Sequence, residues 1–228
     1  MKNKTVKNII KGLLVFLLFW YSGYFQWIPV WLFRLDPDNI GAKTGIILTT
    51  FSSVVTLVIL LLIYRKDLIE DFKKFKENKQ ENIDIAFKYW LLGLFLMIAG
   101  NLFINIILKG GGPTNEQAVQ KMIKSLPYLM VLEAGLLAPI VEEIAFRKTV
   151  KAITNNKFLF LLISSLLFGL AHVVNSSTTW VEYAYLVPYA FLGLALALAY
   201  HKTDSIWTSI FMHIVHNTVL IILSIATL

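Results

Sequence analysis

Near the middle of the chain, residues 133–147 read Glu-Ala-Gly-Leu-Leu-Ala-Pro-Ile-Val-Glu-Glu-Ile-Ala-Phe-Arg. The adjacent carboxylates Glu142 and Glu143 end a segment apolar enough for a bilayer, where ionisable groups are costly and indicate function. On a helix, Glu143 and Arg147 lie four residues apart and share a face, so we expect them to pair at the membrane edge and brace the helix. Glu142 points about 100° away and must meet a partner on another helix or hold a water. Pro139 predicts a kink just before both carboxylates.

The composition is that of a membrane protein. The 228 residues are 57% hydrophobic and only 15% charged, and long apolar runs recur along the whole chain. This predicts an all-α, polytopic transmembrane helical bundle rather than a soluble domain. The absence of cysteine excludes disulfides and thiolate zinc sites. The net charge of +7 comes from Lys and Arg clustered in short loops, which indicates membrane topology rather than a nucleic-acid partner.

The apolar runs predict about seven spans. Six of them lie at approximately residues 9–33, 44–64, 89–108, 158–174, 183–200 and 205–228, and the fourth span in chain order begins near residue 126 and carries the two carboxylates. We divide the chain into residues 1–125, with three spans and their connecting loops, and residues 126–228, with four spans that form one integral membrane unit with the first part. The charged stretch 65–88 predicts a solvated or interfacial amphipathic helix, and residues 114–125 predict a short surface helix.

Orientation is predicted from the Lys and Arg residues. Placing the N-terminus in the cytoplasm puts most of them in inner loops, at residues 1–8, 65–88, 147–157 and 201–204. The outer loops hold few, and residues 175–182 hold none. We therefore expect a multi-pass protein of the cell membrane with a cytoplasmic N-terminus and an extracellular C-terminus.

Other polar residues reach the level of Glu142. If its helix continues to about residue 155, a rise of about 1.5 Å per residue brings Glu142, His172 and His213 to similar depths. His213 and Asn217 are four apart and share a helical face. One carboxylate, two imidazoles and one amide can activate a water as a general base or hold a metal. The second His and the Asn can also donate to an oxyanion.

Three motifs in this order on separate membrane helices resemble one family, the CAAX-protease and bacteriocin-processing (CPBP, or Abi) intramembrane proteases, and are similar to CAAX prenyl protease type 2. The motifs are Glu142-Glu143-x-x-x-Arg147, Phe168-x-x-x-His172 and His213-x-x-x-Asn217. The resemblance covers about residues 126–228. It implies a membrane endopeptidase that cleaves a short hydrophobic or membrane-associated peptide, with bacteriocin or pheromone precursors as bacterial examples.

The resemblance also implies residue roles. Glu142 would be the general base, and His172 would help to orient and activate the attacking water. His213 and Asn217 would stabilise the oxyanion or complete a metal site, and Glu143 with Arg147 would give structural support. The family is described both as metalloproteases and as glutamate-dependent proteases. A divalent metal such as zinc, held by Glu142, His172 and His213, is therefore left open.

Two other functions stay open. One is a non-proteolytic immunity factor or scaffold that binds a peptide or partner, although a scaffold does not need four polar groups at one level. The other is a transporter, since buried Glu and His also mark ion paths, but no inverted repeat is visible. Glu133 lies nine residues before Glu142, on the opposite face of a straight helix, and is excluded from the predicted site. The role of His216 and the oligomeric state are not decided.

Overall fold

The computed structural model describes residues 2–174, 176–177 and 179–227, which are helical with no strand in these ranges. The predicted all-α class is confirmed. Two 3₁₀ turns, at Ser22–Gln26 and Pro37–Asn39, and two π turns accompany the α-helices. The α-helices are α1 (Lys2–Trp20), α2 (Trp27–Leu32), α3 (Ala42–Glu77), α4 (Lys79–Ile107), α5 (Thr114–Ser125), α6 (Pro127–Leu132), α7 (Ala138–Glu143), α8 (Thr149–Ile153), α9 (Lys157–Val173), α10 (Trp180–Ala184), α11 (Leu186–Thr203) and α12 (Ile206–Ala226).

Several helices are long and apolar enough to cross a membrane. Four candidate spans occur in the part of the chain that the structure describes, namely α3, α4, α10 with α11, and α12. Helices α1 and α2 form a pair bent by 53° that would be a fifth. The protein is therefore a polytopic membrane protein, but the predicted count of seven is not confirmed. Helix α9 has 17 residues, and the helix with the carboxylates is interrupted.

Helices α6, α7 and α8 follow one another from Pro127 to Ile153, close to the predicted end near residue 155. One π turn, Glu133–Leu137, precedes the carboxylate pair, and a second, Ile144–Lys148, follows it. Such turns interrupt α-helices most often at functional sites. The irregularity expected from the proline therefore takes the form of a π turn upstream of the carboxylates, and a second one follows them.

The first π turn leaves one carbonyl without a backbone partner. The amide of Ala138 donates to the carbonyl of Glu133, five residues back. The next bond in this pattern would run from residue 139 to the carbonyl of Ala134, but residue 139 is proline and has no N–H. The side-chain amide of Asn217 on α12 donates to this carbonyl instead, at 2.8 Å. The π turn and Pro139 thus connect the carboxylate helix to α12.

Helix α11 packs closely against α4 and α9 through small residues. A Cβ placed on Gly93 of α4 would lie 2.7 Å from the Cβ of Ala195, and one on Gly193 would lie 3.2 Å from Phe168 of α9. Small residues on α11 allow close helix packing and are all buried, namely Gly193, Ala195, Ala197 and Ala199. This packing places α11 between α4 and α9, and α9 in turn lies against the π turn that follows the carboxylates.

The charged stretch 65–88 differs from its prediction as a separate solvated helix. It forms the end of α3 and the beginning of α4, which meet at Asn78. Asp71 within it is only 4% exposed. Its carboxylate accepts a hydrogen bond from Lys148 at 2.7 Å and lies 3.5 Å from the backbone nitrogen of Ile206, the first residue of α12. A buried carboxylate is stable there because of the ion pair and the helix N-terminus.

Candidate active site

A cavity of about 440 Å³ lies where α4, α5, α7, α9, α11 and α12 meet. Its walls include every residue predicted to be catalytic, namely Glu142, His172, His213 and Asn217. These residues come from three separate motifs spread over 76 positions of the chain. The fold thus brings the motifs together around one space, as the depth argument predicted.

Glu142 presents a carboxylate oxygen without a partner. Its Oε2 is buried and accepts no hydrogen bond from any residue that the structure describes. The nearest charged partner is Nε2 of His213, at 3.8 Å, which is too long for a hydrogen bond. A buried carboxylate oxygen at a cavity wall is unfavourable unless a water or substrate binds it. Glu142 is therefore placed to hold and deprotonate a water.

Glu143 and Arg147 form the predicted pair, with Oε1 and Nη1 3.1 Å apart. Both side chains are completely buried in the bundle. Arg147 also donates from Nη2 to the carbonyl of Gly193 at 3.3 Å, and its guanidinium carbon lies 4.4 Å from the ring centre of Phe168. A buried charge needs such partners, and these tie the carboxylate helix to α9 and α11.

Glu143 also holds an imidazole. Nδ1 of His213 donates to its Oε1 at 2.9 Å, and Ser209 donates to its Oε2. This bond fixes the ring so that Nε2 of His213 faces Glu142. A carboxylate in this place fixes the orientation and the tautomer of a histidine. The supporting role predicted for Glu143 therefore extends through His213 to α12, the helix of the third motif.

His172 is held by its own helix and by two rings. Its Nδ1 donates to the carbonyl of Phe168 at 2.8 Å, which leaves Nε2 free to accept a hydrogen bond. The imidazole stacks on the ring of Tyr189, with ring centres 4.5 Å apart. The ring centre of Phe168 lies 4.4 Å from that of His172. Both His172 and Glu142 line the cavity. A water between them could contact both.

Three other polar side chains near the cavity have different hydrogen-bond partners, namely Asn217, His216 and Glu133. One N–H of the Asn217 side-chain amide donates to the carbonyl of Ala134, and its second N–H remains available as a donor. His216 also lines the cavity, and its Nδ1 accepts from Nε1 of Trp90 at 3.3 Å. Glu133 is not part of the lining and accepts instead from Ser53 of α3 at 2.6 Å, in agreement with its exclusion from the predicted site.

The donor set does not form a metal shell. No group of three His, Asp or Glu side chains lies close enough to hold a metal ion anywhere in the described residues. Nδ1 of His213 and Nδ1 of His172 are each hydrogen-bonded, which leaves their Nε2 atoms and Glu142 as possible donors, but these three groups do not lie close enough together to bind one ion. The geometry as it stands suits a water held by a carboxylate and imidazoles better than a metal ion.

Some lining residues were not predicted from the sequence. They are Asn101 of α4, Tyr189 of α11, and Asn115, Glu116 and Gln120 of α5. Helix α5 begins and ends where the surface helix was expected, but one of its faces covers the cavity. Asn101, one of two asparagines within the apolar run of this span, was a signal that could have been used.

Comparison with known proteins agrees with this geometry. Residues 124–219 match the model of a family described as type II CAAX prenyl endopeptidase Rce1-like. This segment is Rce1-like. It contains all four residues that were predicted to be catalytic, whereas α1 to α4 lie outside it. The resemblance predicted from the three motifs is confirmed, and the Rce1-like segment supports a membrane protease.

Several proteins are similar to a larger part of the chain. The putative membrane peptidase YdiL of Bacillus subtilis is 29% identical over 185 residues, which cover 78% of this chain and 71% of that protein. The membrane-embedded CAAX protease MroQ of Staphylococcus aureus is 26% identical over 189 residues, covering 77% and 71%. The UPF0177 protein YxdF of Lactococcus lactis is 29% identical over 143 residues, covering 60% and 77%. No solved structure matches the chain.

Proposed function

We propose that the protein is an intramembrane endopeptidase in which Glu142 activates a water for attack on a peptide bond. The observation that carries the proposal is the partnerless Oε2 of Glu142 in the cavity, beside Nε2 of His213. A general base needs a free oxygen within reach of the water whose proton it takes. The Rce1-like segment and the similarity to the putative membrane peptidase YdiL and the CAAX protease MroQ also support peptidase activity.

The reaction follows from the placed groups. A water held between Glu142 and Nε2 of His172 loses a proton to Glu142 as its oxygen bonds to the substrate carbonyl carbon. The oxyanion that forms accepts hydrogen bonds from Nε2–H of His213, whose ring is oriented by Glu143, and from the free N–H of Asn217. The C–N bond then breaks, and the proton on Glu142 passes to the leaving amine.

The substrate we propose is a short apolar peptide segment, such as a bacteriocin-type or pheromone precursor or the end of a membrane-anchored peptide. The cavity volume of about 440 Å³ lies in the range of pockets for small ligands. It therefore holds a few extended residues and excludes folded protein. The membrane around the helices would supply such a peptide directly from the bilayer or from its surface.

The proposed mechanism uses no obligatory metal, because the donor set lacks three convergent ligands. We expect 1,10-phenanthroline or EDTA to leave cleavage unchanged, and added zinc to give no stimulation. A bound metal would instead supply a water of lowered pKa, and chelators would then abolish activity that zinc restores. Elemental analysis of the purified protein gives a second readout, since a tightly bound metal would be found in stoichiometric amount.

The proposal is tested by replacing the base with its neutral analogue. Protein purified in detergent is incubated with a tryptic digest of a cell lysate, and new peptide ends are identified by mass spectrometry. Glu142→Gln keeps the size of the side chain but cannot take a proton, so cleavage should fall about 10²- to 10⁴-fold. Glu133→Gln is the matched control, because Glu133 is a buried acid on the same helix that does not line the cavity.

Wild-type cleavage in Glu142→Gln would reject the assigned base. If folded Glu133→Gln lost as much activity as folded Glu142→Gln, the assignment of the cavity would be wrong. Failure of the wild-type protein to produce any new end would reject proteolysis. Folding is checked for each variant by its elution from a size-exclusion column and by its melting temperature in detergent.

A further inference from the structure

The side chain of Asn101 lines the cavity from α4, a helix outside the Rce1-like segment. Its Oδ1 is buried, and none of the described residues gives it a hydrogen bond. Buried side-chain acceptors in proteins nearly always have a partner, so an exception at a cavity wall points to a missing donor. The missing donor belongs to a molecule that enters the cavity.

Another asparagine of α4, Asn105, has a hydrogen-bonded side-chain oxygen and serves as a comparison for Asn101. Asn105 lies four residues after Asn101 and therefore on a similar face of α4. Its Oδ1 accepts from the hydroxyl of Tyr185 at 2.5 Å, and it does not line the cavity. Asn105 thus joins α4 to the start of α11, whereas the acceptor of Asn101 is left for the cavity.

Packing between α4 and α11 places Asn101 on the same wall as one of the reacting groups. Gly100, the preceding residue, lies against Pro188, where an added Cβ would be 3.3 Å away. Tyr189, which follows Pro188, stacks on the imidazole of His172. Asn101, Tyr189 and His172 all line the cavity. Asn101 therefore lies on the cavity wall next to the proposed site of water attack.

We propose that Asn101 is a substrate-binding residue whose Oδ1 accepts a backbone N–H of the bound peptide close to the cleaved bond. This inference rests on the proposed function, since it assumes that the cavity holds a peptide. An extended peptide in a bilayer carries N–H groups that water cannot satisfy, and each needs an acceptor from the protein. Glu142 and His172 are engaged by the water in this scheme. Asn101 offers an acceptor that the chemistry does not use.

The test measures peptide binding separately from cleavage. Immobilised Glu142→Gln protein in detergent is exposed to the tryptic lysate digest, and one captured apolar peptide is synthesised with a fluorescent label. Its affinity is compared with that for the same background carrying Asn101→Leu, which keeps the branched shape with a somewhat larger volume and removes the acceptor. Loss of one hydrogen bond of about 1.4 kcal/mol corresponds to about tenfold weaker binding. Asn105→Ala is the matched control and should lower the melting temperature while leaving affinity unchanged.

A set of N-methylated peptides identifies the donor. Each version lacks one backbone N–H, and one of them should bind the Glu142→Gln protein about tenfold more weakly. The same N-methyl group should cause no further loss when Asn101→Leu is present, because both changes remove the same bond. In the cleaving protein, Asn101→Leu should raise KM about tenfold and change kcat little.

Equal affinity of a folded Asn101→Leu protein would overturn the inference without touching the assigned base. Additive losses from Asn101→Leu and every N-methyl group would also overturn it. If peptides bind through Asn101 but the wild-type protein cleaves none, the inference stands and the proteolytic function fails. If no peptide is captured at all, both fail.

Discussion

Replacement of Arg147 by Met should destabilise the protein strongly, and a second replacement should reverse much of this loss. Arg147 is completely buried, with Nη1 3.1 Å from Glu143. Arg147→Met fills a similar volume but leaves the Glu143 carboxylate buried without its cation. Glu143→Gln combined with Arg147→Met removes both charges at once. The comparison separates the effect of an unpaired charge from the effect of lost packing.

The expected size comes from the partners that remain. Breaking a buried pair by removing one member typically costs about 3–5 kcal/mol, because the other charge is left uncompensated. Glu143 keeps hydrogen bonds from His213 and Ser209, so we expect the lower value, about 3 kcal/mol. For a chain of this length that is about 6–12 °C in melting temperature. In the double variant we expect stability within about 1 kcal/mol of the wild-type value, since an apolar or neutral replacement of the whole pair is often tolerated.

Activity should not recover with stability. In the double variant the imidazole of His213 faces an amide instead of a carboxylate, so its orientation and tautomer are no longer fixed. Loss of such a carboxylate lowers turnover by up to about 10⁴-fold where a histidine acts in catalysis. Melting temperatures in detergent and initial cleavage rates measure both effects. Equal destabilisation of the single and double variants, or a double variant with full activity, would refute the reasoning.

Three further predictions concern other parts of the molecule. Asn217→Ala should leave the carbonyl of Ala134 unpaired and cost about 1–3 kcal/mol in melting experiments, in addition to any loss of activity; unchanged stability would contradict this bond. Burial opposes the charge of Asp204, but hydrogen bonds from Lys151 and Lys74 lower its pKa to about 2. The stabilisation from these bonds should therefore be complete above about pH 4 and be lost as the pH falls towards 2. The melting temperature of Asp204→Asn should lack this part of the pH dependence, and a profile identical to that of the wild-type protein would reject the prediction. Reporters fused to the two termini should read cytoplasmic at the N-terminus and extracellular at the C-terminus, and the reverse would reject the predicted orientation.

The carboxylate motif illustrates what the sequence could predict. The pairing of Glu143 with Arg147 needs only the i,i+4 spacing of a helix, and it is present. The convergence of Glu142, His172 and His213 followed from helix rise and membrane depth, and these residues share a cavity wall. Spacing within a helix and position along the membrane normal are properties of local sequence, which is why both could be predicted.

Contacts between distant helices could not be read from the sequence. The bond between His213 and Glu143 depends on how α12 is rotated against α7, and no local pattern fixes this rotation. Asp71 looked like one of many solvated charges, but the N-terminus of α12 and Lys148 enclose it. Asn101 gained its place at the cavity through the packing of α4 against α11. In each case the decisive partner is at least 70 positions away, or is a cavity that no single segment forms.

The two π turns have a consequence for how this chain tolerates changes in length. A π turn carries one residue more than the corresponding turn of an α-helix, and the helix on either side keeps its direction. Inserting or deleting a residue in a regular helix turns everything beyond it by about 100°. Removal of one residue within Glu133–Leu137 can instead be absorbed by return to regular helix, so that Glu142 still faces the cavity. Differences in length between relatives should therefore be found at these two turns and be absent from Ala138–Glu143 between them.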